Sequence, residues 1–289
     1  MEITFDDWLA GGSRIPIDLP GGRRDIFVRT AGPGQWCTLV HGFPTSSADW
    51  APLWGDLTAR RRVLAFDLLG FGDSDKPDDH DYTIHEQADL TEALWRHHGI
   101  TQTALVAHDY GVSVAQELLA RQQGGSLAAT ITNVVFLNGG LYPELHRPLP
   151  GQLALLDPEL GPQVGRMLGE ETFAQSMRAT YGRQPTDALL HQQWLAVSRR
   201  DGHRIGHRLI QYIRDRAQHT SRWVTALETA TVPRAFVWGM LDPVSGAHMA
   251  ERIAERMPDA PLLQLADVGH WPQLEASDLV RLELRTHVA

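Results

Sequence analysis

Short apolar runs separated by helix-length amphipathic segments recur along most of the 289-residue chain, a pattern that predicts parallel strands joined by crossover helices. The predicted strands are Ile26–Thr30, Cys37–Val40, Val63–Phe66, Ala104–Ala107, Val134–Leu137, Ala235–Trp238 and Leu262–Leu265. Several end directly in polar or glycine-rich residues: Val40-His41-Gly42, Phe66-Asp67, Ala107-His108-Asp109, Leu137-Asn138-Gly139 and Trp238-Gly239-Met240-Leu241-Asp242. Ligands of open α/β sheets bind at the carboxyl ends of strands, so chemistry is expected at those five ends. Helical spacing over Ile84–His98 groups Ala88, Leu90, Ala93, Leu94 and His97 on a buried face, and Ala247–Met257 does the same with Ala250, Ile253, Ala254 and Met257. From about Gly139 to Arg222 the alternation stops in a stretch rich in Pro, Gly, Arg, His and Gln, and it resumes at Val232. The expectation is an α/β core domain over 1–138 and 224–289, a mostly parallel sheet with helices on both faces, with a helical lid (cap) inserted at 139–223.

Composition narrows the function class. Hydrophobic residues make up 43% and charged residues 21% of the chain, ordinary for a globular protein. The longest apolar runs, such as Arg234-Ala-Phe-Val-Trp-Gly239, fall far short of the roughly 20 residues of a membrane span. The acidic start MEITFDDWLAGG has neither a basic nor an apolar signal region, so a cytoplasmic location is expected. A single cysteine, Cys37, rules out an intrachain disulfide framework and reads as a small buried hydrophobe. With a net charge of −9 and scattered arginines, the chain lacks the basic stripe that nucleic acid requires. The partners expected are water and a small, largely apolar organic substrate, with no cofactor and no metal; the oligomeric state is not readable.

Chemistry concentrates at Ala104-Leu-Val-Ala-His-Asp109-Tyr-Gly111-Val-Ser-Val-Ala-Gln-Glu-Leu-Leu. A β-run breaks at one residue and turns at once into an amphipathic helix, the setting of a nucleophile elbow, with small Ala107 and Gly111 two residues to either side of Asp109. An aspartate before a helix is ordinarily a cap. Here it has partners: His270 follows the last predicted strand in Gly269-His270-Trp-Pro, and Asp242 follows the preceding one. The order nucleophile, acid, histidine is the one this elbow requires. A carboxylate at the elbow suits attack on an sp³ carbon to give an alkyl ester, rather than acyl transfer. Backbone N–H groups of Phe43, in Val40-His41-Gly42-Phe43-Pro44, and of Tyr110 are the expected oxyanion donors. His41 reads as holding that loop, and His41, Pro44 and Trp271 as bordering the substrate pocket.

These residues, with Phe66-Asp-Leu-Leu-Gly-Phe-Gly-Asp-Ser-Asp-Lys-Pro77 and Gly269-His-Trp-Pro-Gln-Leu-Glu275, resemble the epoxide hydrolase and haloalkane dehalogenase branch of the α/β-hydrolases over nearly the whole length from about Phe5. In the lid, Asn138-Gly-Gly, Pro143-Glu-Leu-His-Arg-Pro148 and Gln211-Tyr-Ile are similar to the mesoderm-specific transcript group and its bacterial relatives. The resemblance implies an α/β-hydrolase fold with Asp109 as nucleophile, His270 as base and Asp242 as its orienting acid. Departures sharpen it. Haloalkane dehalogenases usually carry Trp after the nucleophile and a second halide donor in the His-Gly-Asn-Pro motif, where this chain has Tyr110 and Phe43. The arginine of fluoroacetate-dehalogenase-like enzymes is also Tyr110. Epoxide hydrolases protonate the opening ring with lid tyrosines, for which the chain offers Tyr142, Tyr181 and Tyr212. Val112 stands where a second small residue often follows the elbow. Epoxide hydrolysis is therefore the expected activity; a dehalogenase with unusual halide donors and a non-catalytic ligand-binding or scaffold protein are the alternatives.

Other constellations carry less. His203 and His207 have the i,i+4 spacing of metal ligands but lack a third, so a solvated lid face is expected. His97-His98 end a helix where positive charge suits the dipole. Among Trp50, Trp54, Trp194, Trp223 and Trp271, only Trp271, beside the base, is singled out as a pocket residue. Gly11-Gly12, Gly21-Gly22 and Gly124-Gly125 have no phosphate-binding fingerprint and read as turns.

Overall fold

The computed structural model describes residues 3–288. Eight strands form one sheet: β1 (Ser13–Leu19), β2 (Gly22–Ala31), β3 (Trp36–Val40), β4 (Arg62–Phe66), β5 (Gln102–His108), β6 (Thr130–Leu137), β7 (Arg234–Gly239) and β8 (Leu262–Leu265), in the spatial order β1-β2-β4-β3-β5-β6-β7-β8. Strands β3 to β8 run parallel, while β2 is antiparallel to both β1 and β4. All seven predicted strands are present. The additional one, β1, has Pro16 in its middle and a mixed polar pattern, which a strand at the sheet's edge tolerates.

Both faces of the parallel strands are covered, which is why they read as continuous apolar runs. Cys37, Leu39, Val63, Ala65, Val106, Val135 and Val237 enter one core, and Val40, Leu64, Phe66, Leu105, Phe136 and Phe236 enter the other. Neighbours in sequence thus point to opposite faces. Cys37 is fully buried, and burial pushes its thiol up to about 12. Helices α1 (Phe5–Ala10), α2 (Ala51–Thr58), α3 (Ile84–His97) and α4 (Tyr110–Gln123) precede β6. Between β6 and β7 the described chain forms only helices: α5 (Pro150–Leu156), α6 (Gly161–Met167), α7 (Glu170–Arg178), α8 (Asp187–Ser198), α9 (Gly206–Leu209), α10 (Tyr212–Gln218) and α11 (Thr220–Thr229), plus short 3-10 turns. Helices α12 (Ala247–Arg256), α13 (Pro272–Glu275) and α14 (Ser277–His287) complete the chain. None of the described helices is long and apolar enough to cross a membrane.

Three details depart from the sequence reading. His97 is exposed, whereas Ala88, Leu90, Ala93 and Leu94 are buried, together with Thr91 and Trp95. Ala254 likewise faces outward, leaving Ala250, Ile253 and Met257 as the inner side of that segment. Helix α11 is anchored to α4 through Trp223 Nε1 and Arg222 Nε, both donating to Glu117 Oε2 at 2.8 and 2.7 Å. The expected boundary between residues 223 and 224 therefore falls inside a helix packed on the core.

Candidate active site

The β5-to-α4 turn forces Asp109 into φ 45°, ψ −105°, a left-handed conformation that costs a non-glycine residue of the order of 1–3 kcal/mol and survives only where surroundings impose it. They do so from three sides. Asp109 N–H donates to Asn138 O at 2.8 Å, and Asp109 O accepts from Val112 N–H at 3.1 Å and from the guanidinium of Arg216 at 2.9 Å. Close approach explains the small residues: a Cβ on Gly111 would lie 2.4 Å from Val40 O, and one on Gly139 would lie 2.7 Å from a methyl of Val112. Val112, the departure noted in the sequence, is thus accommodated by the absence of a side chain at Gly139.

Asp109 Oδ2 accepts the Phe43 N–H at 3.0 Å. Its Oδ1 lies 3.9 Å from His270 Nε2 and 3.8 Å from Arg216 Nη2, beyond direct hydrogen bonds. Tyr110 supplies the first amide of α4, immediately after the nucleophile position. On the far side of the imidazole, His270 Nδ1 meets Asp242 Oδ2 at 2.8 Å. That carboxylate, fully buried, also accepts from Ser245 Oγ at 2.7 Å, Asn138 Nδ2 at 3.0 Å and Val244 N–H at 2.8 Å. Burial opposes charge on His270, but the charge and hydrogen bond of Asp242, aided by Asp109 and Glu275, outweigh it and lift the imidazole to about 9. Asp242 is correspondingly held well below the usual carboxylate range: burial pushes it up, and His270, Ser245 and the Val244 amide more than reverse this.

Residues not singled out in the sequence hold these groups in place. Asn138 bridges the ends of β6 and β7, donating to Gly239 O and accepting from Gly239 N–H at 2.6 Å while it bonds Asp242. His108, kept neutral by burial and by neighbouring His270 with its pKa depressed to about 3, sits 2.8 Å from His270 O through Nε2 and 3.1 Å from the Gln273 amide through Nδ1. Glu275 accepts amide N–H groups from Gly182, Arg183, Gly269 and Trp271 at 2.8 to 3.1 Å, so one carboxylate ties the histidine loop to the inserted helices.

Above Asp109 and His270 lies a cavity of about 400 Å³, walled by Phe43, Pro44, Leu149, Phe173, Met177, Leu209, Val244 and Trp271 among others. Pro44 and Trp271 border it; Trp50, Trp54, Trp194 and Trp223 do not. His41 does not reach it either, because the ring is fully buried beneath the loop, with Nε2 accepting Leu68 N–H at 3.0 Å and Nδ1 2.8 Å from Gly42 O. The expected solvated face at His203 is corrected: Arg200 and Asp201, at φ 53° and 60°, kink the chain so that Gly202, His203 and Gly206 line the cavity. Of the three tyrosines, Tyr142 donates to Glu228 at 3.1 Å and Tyr181 to Gln193 at 3.1 Å, both turned elsewhere. Tyr212 packs against the residues that flank the nucleophile, its ring 5.9 Å from that of Phe43 and 4.8 Å from that of Tyr110, with a buried hydroxyl that has no partner among the described residues; like the other two it stands outside the cavity wall. The one metal-like cluster among the described residues, His85, Asp215 and His219, has ligand atoms within 4.8 Å of one another at the junction of α3 and α10 and does not line the cavity.

Residues 38–277 match the family model described as alpha/beta hydrolase fold. The human mesoderm-specific transcript homolog protein is 41% identical over 257 residues, covering 86% of this chain and 77% of that protein. LipZ of Mycobacterium tuberculosis is 37% identical over 276 residues, covering 93% of each. A cis-3-alkyl-4-alkyloxetan-2-one decarboxylase of Shewanella oneidensis is 30% identical over 278 residues, covering 89% of this chain and 81% of that one. Among solved structures, a haloalkane dehalogenase loop variant from Bradyrhizobium elkanii (TM-score 0.76, 20% identity, 96% of each chain) and the epoxide hydrolase CorEH (TM-score 0.75, 18% identity, 95% of this chain and 98% of that one) share the fold.

Proposed function

The chain belongs to the α/β-hydrolase family, and we propose on that premise that it opens an epoxide to a diol through an alkyl ester on Asp109, beneath a lid formed by helices α5 to α10. The observation that carries this reading is the division of labour at Asp109: one carboxylate oxygen rests on the Phe43 amide while the other lies free within 4 Å of His270. In this reading Oδ1 attacks a ring carbon in line, the C–O bond breaks, and the ring oxygen takes a proton from Tyr212. The gap between His270 Nε2 and Oδ1 leaves room for His270 to activate water, which attacks the ester carbonyl while the Phe43 and Tyr110 amides take up the developing charge. Asp242 fixes the tautomer, as in other histidine-based triads. No cofactor enters this sequence. Halide displacement is disfavoured because Phe43 and Tyr110 offer no side-chain N–H to a leaving halide. Opening of a four-membered oxetan-2-one is a second reading, supported by the 30% identity to the oxetanone decarboxylase.

His270→Gln separates these chemistries. It spares alkylation and removes the base, so the ester accumulates. Intact mass of the Asp109 peptide then reads the reaction: an epoxide adds its full mass, whereas a haloalkane adds only its alkyl part and releases halide. Full-mass adducts with a panel of epoxides and none with chloro- or bromoalkanes are expected; the opposite pattern refutes the epoxide reading, and labelling of another residue refutes Asp109 as well.

A further inference from the structure

One buried cation at this site has no task in the chemistry above. Arg216 is 2% exposed. Its Nε donates to Ser113 Oγ at 2.6 Å and its Nη2 to Asp109 O at 2.9 Å, and its guanidinium carbon lies 4.4 Å from the centre of the Tyr212 ring. Nη1 is buried without an acceptor among the described residues. The hydroxyls of Tyr212 and of Tyr110, whose rings lie 4.8 Å apart, share that condition. An unsatisfied buried donor costs about 1–3 kcal/mol, more when it is charged. Arg216 Nη1 and the Tyr212 hydroxyl, on side chains packed against each other beside the nucleophile, are therefore donors without an acceptor. The Asp109 carboxylate meets this cation only at long range, Oδ1 lying 3.8 Å from Nη2, and Nη1 is left without an acceptor among the described residues.

We propose that Arg216, with Tyr212, forms the anion-receiving end of the active site and binds a carboxylate carried beside the carbon that Asp109 attacks. The inference rests on the ring-opening reading and names its substrate class: an amphiphile whose apolar tail fills the cavity under Leu149, Phe173 and Met177 and whose head is a carboxylate. A guanidinium fork matches a carboxylate bidentately, and it makes a second anion tolerable next to Asp109. The carboxylate has two sources. In a 2,3-epoxy acid it is present from the start: the Asp109 O–C bond forms, the ring C–O bond breaks, the ring oxygen takes the Tyr212 proton, and water later cleaves the ester to a dihydroxy acid. In a four-membered cyclic ester it is the leaving group: attack on the ring carbon bearing the ether oxygen expels a carboxylate that needs no proton, and water releases a 3-hydroxy acid.

The test uses the His270→Gln protein and follows alkylation of Asp109 by intact mass with 2,3-epoxyoctanoate, its ethyl ester, 1,2-epoxyoctane and 4-pentyloxetan-2-one. The acid is expected to alkylate about 30-fold faster than the ester or the plain epoxide, the scale of one charge-assisted contact. Adding Arg216→Met should bring that ratio to within about threefold, whereas Arg216→Lys, which keeps the cation, should retain most of it. Loss of a merely structural arginine would slow all substrates together and leave the ratio unchanged; that result, or equal rates for acid and ester before any change at Arg216, overturns the proposal. The acid-to-ester ratio decides even where an Arg216 variant fails to fold. Labelling by the oxetanone alone, slowed by Arg216→Met and spared by Arg216→Lys, keeps the proposal and discards the epoxide reading. If no compound labels Asp109, the ring-opening reading fails by itself, and calorimetry with octanoate decides the carboxylate site: binding that Arg216→Met abolishes supports it, and no binding at millimolar concentration refutes it.

Discussion

Replacing Asp242 by Asn perturbs the pair on which the proposed base depends. Asp242 Oδ2 accepts three donors, from His270, Asn138 and Ser245, and Oδ1 accepts the Val244 amide. An amide group at this position must turn its NH₂ toward one of these donors, so at least one bond is lost whichever way it faces. The larger effect is electrostatic. Asp242 is the chief reason His270 rises from 6.5 to about 9, and that difference of about 2.5 units corresponds to roughly 3 kcal/mol favouring the imidazolium. Without the carboxylate, burial acts nearly unopposed, and the histidine should titrate at or below 6.5. In the intact protein only about 1 in 100 His270 side chains is neutral at pH 7 if its pKa is about 9. Hydrolysis of the Asp109 ester should accordingly rise tenfold per pH unit and level off below 9, because esterification removes the Asp109 charge that helps hold His270 up. In Asp242→Asn the limb should move to pH 6.5 or lower and the plateau should fall by about 10³ to 10⁴, as for the orienting aspartate of serine-protease triads. The sign for stability is the reverse: a raised histidine pKa stabilises the fold fully below about 6.5, and that contribution disappears as pH rises through 9. Thermal melts of the two proteins should therefore converge toward alkaline pH. Single-turnover decay of the covalent ester, followed by quenched mass spectrometry from pH 5 to 10, measures the limb. A limb that stays in the same place in the variant refutes the assigned pairing.

Two further outcomes bear on the same site. Asp109→Asn should leave the melting temperature within a few degrees of the parent and abolish turnover, with peptide mass excluding deamidation back to Asp; retained activity removes Asp109 from the chemistry. Tyr212→Phe should slow alkylation of Asp109 by an epoxide more than about tenfold, while Tyr142→Phe and Tyr181→Phe, whose hydroxyls bond Glu228 and Gln193, should not; rapid-quench mass kinetics of the three variants would contradict this if Tyr142→Phe or Tyr181→Phe were the slow one.

Much of this arrangement was readable in the sequence, for identifiable reasons. Strands covered on both faces appear as uninterrupted apolar runs, and the residues that end them, Asp109, Asn138 and Asp242, mark one edge of the sheet because parallel pairing aligns those ends: Val40 lies opposite Ala107, and His108 opposite Leu137. The helical insertion was legible only as a loss of alternation. Which of its side chains turn inward depends on the kink at Arg200 and Asp201 and on packing over the sheet, neither of which has a local sequence signal. That is why His203 was expected on the outside and three tyrosines stood as equals. Arg216 did leave a trace. It lies four residues after Tyr212, one helical turn along the same face, in a segment flanked by Leu209, Ile210 and Ile213, where an arginine needs a buried partner.

The bond from Arg216 to the Asp109 carbonyl also constrains molecular traffic. Helix α10 cannot swing away without withdrawing support from a strained elbow, and residues 182 and 183 are held to the histidine loop through Glu275. Both behave as a door frame. The part left to act as the door is the stretch from α5 to α7, which shows Leu153, Leu160 and Met167 to solvent at 54, 52 and 83% exposure and contributes Leu155, Val164 and Phe173 to the cavity wall. Substitutions on α5 and α6 should accordingly change the pace of exchange with solvent while the geometry around Asp109 stays fixed.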